Sequence, residues 1–249
     1  MDKVKIGWMF PDTLYLHGER GNILALIEVL KWYNKEAEVI KIDFDNIESI
    51  DFMDFDMLFV APGDLSSIEI VSNMLENRKN ELNEFIDTNK LLFVTGTSIA
   101  LFGNEVTRTD GTKYNGLGLI DVKTLEKEMV YGDDIYFRIL NSGIEIIGNQ
   151  IQVADFIPGD VEILGEIIYG YGNTGKDKNE GFIRKNAIFT NTLGPMLAVN
   201  MEYTMRLLEK ALFIEEAVNI NNDLMDIDGV SFDIKKDFIL NKETKLNNK

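Results

Sequence analysis

The chain has 249 residues, 45% of them hydrophobic and 27% charged, which is the profile of a globular protein with a core large enough for one domain. Its formal net charge of -17 argues against nucleic acid or an anionic membrane as the main partner, since both need a basic patch. No cysteine is present, which excludes disulfides, thiolate metal sites and cysteine catalysis, and a single histidine leaves only carboxylates for a metal.

The opening "MDKVKIGWMFPD" lacks a long apolar run of signal-peptide type, and no apolar segment of roughly 18 residues follows, so the expectation is a cytoplasmic protein without membrane insertion. Val4 to Phe10 reads as a strand closed by Pro11 and Asp12. "GERGNILALIEVLKWYN" places Ile23, Leu26, Ile27, Leu30 and Tyr33 at helical spacing. "AEVIKID" is the next strand. "DMLFVAPG" and "KLLFVTG" are continuous apolar runs, the pattern of strands buried on both faces. Ser66 to Asp87 between them is mainly helical, and "SIALFG" starts another helix. This half predicts an α/β fold: an open, mostly parallel sheet with flanking helices, whose ligands bind at the carboxyl ends of strands, here "MFPD", "APGD" and "TGTS".

After Gly103 the pattern changes. "YNGLGLIDVKT", "DIYFRIL", "EIIGNQIQVADF", "EILGEIIYGYG", "EGFIRK" and "NAIFTNT" are short strand-like runs parted by Gly, Asn and Asp. They are expected to extend the sheet with antiparallel hairpins. Asn200 to Asn219 has helical spacing, and the polar end "NKETKLNNK" is expected to fray.

Four segments could carry chemistry. Gly96-Thr97-Ser98-Ile99-Ala100 resembles a G-x-S-x-G nucleophile elbow at a strand-to-helix turn. Ser98 needs a base, yet the one histidine, His17, comes early in the chain; capping of the next helix by Thr97 or Ser98 is the alternative. Gly170 to Asp177, "GYGNTGKD", follows a phosphate loop until Asp177 stands where Ser or Thr would hold magnesium, and a hairpin loop is the competing reading. "DFDNIESIDFMDFD" is acidic but alternates with Ile and Phe, as a solvated edge does, so no metal is expected. "FPDTLYLHGERGN" gathers His17, Arg20 and Asn22 around two glycines after the first strand, which suits either a ligand or partner interface or a helix start with Arg20 paired to an acid.

These segments together resemble the glutaminase subunit of lipid II isoglutaminyl synthase, one of the cobyric-acid-synthase-like class I glutamine amidotransferases. The family opens Tyr-Pro-Asp and then Tyr-Gly-Asp-Arg-Gly-Asn, similar to "FPDTLYLHGERGN". "DMLFVAPGD" is similar to its oxyanion strand end, "LLFVTGTSIALFG" to its elbow, "GYGNTGKDKNEG" to its hairpin and "IFTNTLGPMLAVN" to its histidine segment. The resemblance runs over about residues 4 to 212. It implies a flavodoxin-like class I amidotransferase domain over residues 1–219, with residues 220–249 as a partly disordered extension.

The resemblance also implies a chemistry: a cysteine attacks glutamine, a histidine is the base, and ammonia passes to a Mur-ligase-like partner that amidates a peptidoglycan precursor with ATP. No cofactor is implied for this subunit. Lined up on Leu101 and Gly103, the family cysteine falls on Gly96; lined up on Gly194-Pro195, its histidine falls on Leu193. The arginine for the substrate carboxylate falls near Met129, and a Phe-Glu-Asn-His stretch falls near Asn149 to Gln152. Backbone amides near Gly63, Asp64 and Thr97 are the expected oxyanion and substrate contacts. Losing the nucleophile costs on the order of a millionfold in turnover, after which nothing retains the base or the arginine. The expectation is a catalytically degenerate amidotransferase serving as a binding or regulatory subunit of a Mur-ligase-like protein, with glutamine or another small amino acid as candidate ligand. The alternatives are a serine-dependent hydrolase or transferase using Ser98, and a stand-alone small-molecule-binding module. Gly96 is further expected to have φ > 0 and to lie close to Leu193.

Overall fold

The computed structural model describes residues 3–214 and 219–247. Its first half alternates strands and helices. β1 (Lys3–Met9) leads through α1 (Arg20–Trp32) to β2 (Glu36–Ile42). β3 (Met57–Val60) leads through α2 (Leu65–Leu75) and α3 (Lys79–Asp87) to β4 (Leu91–Thr95), then to the single turn α4 (Ile99–Phe102). The second half adds β5 (Glu105–Thr107), β6 (Lys113–Asn115), β7 (Val122–Ile139), β8 (Glu145–Pro158), β9 (Glu162–Tyr169), β10 (Asn179–Arg184) and β11 (Ala187–Thr190), followed by α5 (Met201–Leu212) and α6 (Asn222–Asn247).

One mixed sheet runs β2-β1-β3-β4-β11-β10-β9-β7-β5-β6, with β8 on the far side of β7. β2, β1, β3, β4 and β11 are mutually parallel and form its core. Strand alternation sorts the side chains onto two faces. Leu58, Val60, Leu92 and Val94 pack under α2, α3 and α4, with Ile68, Phe85 and Ile99. Met57, Phe59, Leu91 and Phe93 pack under α1 and α5, with Leu26, Leu30 and Leu208. Buried on both faces, these strands need the unbroken apolar runs seen in the sequence.

The second half departs from expectation in three ways. β11 pairs with β4 in parallel, so "NAIFTNT" belongs to the parallel core and only its other neighbour, β10, is antiparallel. "DIYFRIL" is not a separate strand: it continues one 18-residue β7 that includes "LEKEMVYGDD" and pairs with β8 across a bulge between Glu126 and Tyr131. α4 stops after four residues, where Gly103 turns extended; a Cβ there would lie 2.6 Å from the Val122 carbonyl oxygen, so the chain passes β7 this closely only as glycine.

α5 ends at Leu212 with Phe213 in the left-handed region, short of the expected Asn219; residues 215–218 of that expectation lie outside the described residues. The extension expected to be partly disordered forms α6, helical to Asn247. α6 lies on the β7–β8–β9 part of the sheet, where Ile239 is buried with Tyr136 and Ile147. Among the described residues, no helix is long and apolar enough to cross a membrane.

Candidate functional site

The carboxyl ends of β3, β4 and β11 meet at the elbow. β4 leaves the sheet at Thr95 and enters a tight 3-10 turn, Gly96–Ser98. Gly96 has φ +59°, as the alignment on Leu101 and Gly103 leads one to expect. A Cβ placed on it would lie 2.9 Å from Pro62 Cβ and 3.1 Å from Leu193 Cδ2, so the expected proximity to Leu193 holds as well. Leu193 is 2% exposed. It is held by a two-way bridge to Asn149, with Leu193 N donating to Asn149 O at 2.7 Å and Asn149 N to Leu193 O at 3.0 Å. Any side chain at position 96 would have to push Pro62 or Leu193 aside.

Neither hydroxyl of the turn caps the following helix, contrary to one of the sequence readings. Thr97 Oγ1 donates to the Gly63 carbonyl at 2.5 Å, and Ser98 Oγ donates to the Ala61 carbonyl at 2.6 Å. Both therefore staple the elbow to the end of β3. Ser98 is fully buried, whereas His17 is exposed on a left-handed residue after β1. The two share no hydrogen bond among the described residues, so His17 is not placed as a base for Ser98.

Gly63 lies in close contact with Leu14, whose Cδ2 would be 2.4 Å from an added Cβ. Asp64 uses its side chain to cap α2, accepting from Ser66 N and Ser67 N at 3.0 Å each. Those hydrogen bonds, led by the Ser67 amide, hold its carboxyl below the ordinary range. Met129 is not brought to this cluster: it sits 81% exposed in the bulge of β7. The structure thus gathers Gly63, Gly96, Thr97 and Leu193 but leaves Met129 outside, in the unpaired stretch of β7 between Glu126 and Tyr131.

Two buried carboxylates were not singled out from the sequence. Glu19 is fully buried, and its Oε1 accepts from Gly194 N at 2.8 Å while Oε2 accepts from Asn22 Nδ2 at 2.6 Å. Asn22 Oδ1 in turn accepts from Leu197 N at 2.8 Å. "GERGN" therefore clamps the loop that carries Leu193. Burial raises the Glu19 carboxyl from 4.5 to about 7, against the lowering effect of bonds from Gly194, Asn22 and Thr95. Arg20 points to solvent and forms no ion pair among the described residues, so the acid next to it turned inward instead of pairing with it. Glu180, at the start of β10, is fully buried beneath the same loop. It accepts from Thr190 Oγ1, Asn191 N and Thr192 Oγ1, and burial raises it to about 7. The only sequence sign of Glu19 was its place among glycines after β1.

Where the family carries Phe-Glu-Asn-His, Gln150 and Gln152 are buried amides. Gln150 Nε2 donates to Gln152 Oε1 at 2.8 Å, and Asn191 Nδ2 donates to the same oxygen at 2.5 Å. Gln150 Oε1 accepts from Tyr171 N and Gly172 N, which settles the "GYGNTGKD" question. A phosphate loop needs free amides opening a helix; here these amides face a glutamine and the loop joins β9 to β10. The acidic run from Asp43 to Asp56 forms turns between β2 and β3, and no group of three metal-ligating side chains is found among the described residues. Lys235 of α6 donates to Asn149 Oδ1 at 2.6 Å, so the C-terminal helix braces the strand that holds Leu193.

The elbow keeps its backbone turn, its positions 96 and 193 are glycine and leucine, and the Thr97 and Ser98 hydroxyls and the Glu19 carboxyl are hydrogen-bonded to neighbouring loops. No family model matches the chain. Two curated proteins are similar over most of their length. The chain is 30% identical over 217 residues to the lipid II isoglutaminyl synthase (glutamine-hydrolyzing) subunit GatD of Staphylococcus aureus (strain N315), covering 85% of each. It is 23% identical over 219 residues to the subunit of the same name from Streptococcus pneumoniae (strain ATCC BAA-255 / R6), covering 84% of this chain and 81% of that protein. Among solved structures, a glutamine amidotransferase superposes with a TM-score of 0.53 at 17% identity, over 83% of this chain and 98% of its own. Another, from Thermotoga maritima, gives 0.52 at 11% identity over 91% and 94%. At these identities the structures speak for the fold.

Proposed function

The chain belongs to the family of the GatD subunit of lipid II isoglutaminyl synthase, and from that premise we propose that it is a member without glutaminase activity, acting as a binding or regulatory subunit of a Mur-ligase-like partner in peptidoglycan precursor amidation. What supports this reading is the closeness of Gly96 and Leu193, the two residues that the family resemblance aligns with its nucleophile and base. Glutamine hydrolysis needs a covalent acyl-enzyme step with an activated nucleophile. A leucine in contact with glycine supplies neither group. Retention of the fold beside loss of both groups is what a role in assembly rather than in catalysis would leave. Gly63, Asp64 and Thr97 then act as loop and cap residues. Asn22 serves the clamp, while His17 and Arg20 stay exposed and available to a partner.

The test is glutamate release from glutamine by the purified protein, alone and with a Mur-ligase-like partner from the same cell. No release is expected in either case. Turnover that disappears in Ser98→Ala would overturn the reading and favour a serine-dependent enzyme. Against that second reading stands the Ser98 hydroxyl, committed to Ala61 O in a fully buried position; a fluorophosphonate probe is expected to leave Ser98 unlabelled.

A further inference from the structure

Helix α6 has two apolar faces, and only one is covered. Toward the sheet it sets Phe232, Ile239 and Leu240 against Tyr136, Ile147 and Tyr169. On the opposite side Ile227, Val230, Ile234 and Phe238 are 64%, 60%, 66% and 57% exposed. Their spacing of three, four and four residues places them on one stripe. Single exposed apolar residues are ordinary, but a contiguous stripe marks an interaction surface. The surface along it is shallow and formed by α6 alone, from Asp226 to Lys235.

The charges around the stripe are sorted. Lys235, Lys236 and Lys242 turn back to the sheet, to Asp134, to Glu145, and to Asp133 and Asp134. Asp226, Asp233 and Asp237 remain exposed along one edge at helical spacing, and none forms an ion pair among the described residues. These three lysines are thereby paired with carboxylates of the sheet and not with the exposed aspartates.

We propose that the outer face of α6 docks an amphipathic segment of another protein, apolar at the contact and bordered by Lys or Arg. The aspartate edge selects among occupants. Two copies of this chain would bring like charges together, each molecule carrying a net charge of -17. An anionic lipid surface is repelled for the same reason. A cationic border complements the edge and steers its approach. The inference rests on α6 alone and does not depend on whether the chain hydrolyses glutamine.

The experiment uses the full chain and three helix-forming peptides of equal length, titrated by fluorescence anisotropy. The first has a leucine stripe edged by lysines, the second the same stripe edged by glutamates, and the third the lysine edges with serines replacing the leucines. The first is expected to bind at least roughly ten-fold more tightly than either of the others. Ile234→Glu is expected to remove that advantage with Tm unchanged, and the triple change Asp226→Lys, Asp233→Lys, Asp237→Lys to shift the preference to the glutamate-edged peptide. Equal binding of the leucine and serine peptides would overturn the proposal, since charge alone would explain it. So would indifference to Ile234→Glu, a wild-type dimer in sedimentation that Ile234→Glu turns into a monomer, or stripe-dependent binding to phosphatidylglycerol vesicles.

Discussion

The strand ends around Gly96 and the outer face of α6 invert the usual rule in opposite directions. At the strand ends, where an α/β sheet ordinarily presents polar groups to a ligand, Thr97, Ser98, Glu19 and Asn22 spend their hydrogen bonds on adjacent loops, and Leu193 is buried against Gly96. On α6, four large apolar side chains face water. The contrast shows where free energy of association is available. A ligand at the elbow must first break satisfied contacts, whereas covering the α6 stripe removes apolar area from water at roughly 25 cal/mol per Å².

Substitutions at the two places sharpen or break this contrast. The largest effect is expected for Leu193→Ala, which opens a cavity beside Gly96 and costs between about 2 and 5 kcal/mol in urea denaturation; a near-neutral result would mean the elbow is not packed. Next comes the pH response of Glu19. Its folded value lies near 7 and its unfolded value at 4.5, so the folded state holds the proton more tightly. The stabilisation present below pH 4.5 is therefore lost as pH rises to about 7, on the order of 3 kcal/mol, and is level beyond. Glu19→Gln is expected to lessen the slope of Tm between pH 4.5 and 8, leaving the part due to Glu180, which burial also raises to about 7; an unchanged slope would show that Glu19 titrates normally.

Gly96→Cys adds a Cβ at a positive φ against Pro62 and Leu193, at a cost of about 2 kcal/mol. Combined with Leu193→Ala the cost should be less than additive, because the alanine frees the space, and a double-mutant cycle reads this coupling. Ser98→Ala removes one buried hydrogen bond, for about 1 kcal/mol. The smallest effect belongs to Ile234→Ser on α6, within about 0.5 kcal/mol. Should Ile234→Ser cost as much as Leu193→Ala, the stripe would be a folding element and the contrast would fail.

The parallel half of the fold was legible because each element carried its own period. α1 shows apolar residues at helical spacing, and β3 and β4 are unbroken apolar runs that need two covered faces. The second half was less legible. "NAIFTNT" reads the same whether β11 runs parallel or antiparallel to β4, since side-chain alternation is blind to direction. The bulge at Lys127 to Val130, which includes Met129, hid the continuity of β7. At the elbow, the residue types at positions 96 and 193 were readable from resemblance, but the partners of Thr97 and Ser98 were not. Local capping chemistry suggested the next helix, and the winning acceptors lie 34 and 37 residues earlier, on the neighbouring strand's end.

The sequence by itself determined the strand and helix order through Asp87, the absence of any thiol, and the glycine and leucine that the family resemblance aligns with its nucleophile and base. Only the tertiary structure decided that Gly96 and Leu193 lie side by side, that Glu19 is buried and Arg20 is not, and that Lys235, Lys236 and Lys242 of α6 pair with the sheet while Asp226, Asp233 and Asp237 stay exposed. The reason is one of range. Periodicity and residue chemistry are local and are written in the order of residues. Contact, burial and ion pairing depend on which strand lies beside which and in what register, and these are properties of the assembled sheet.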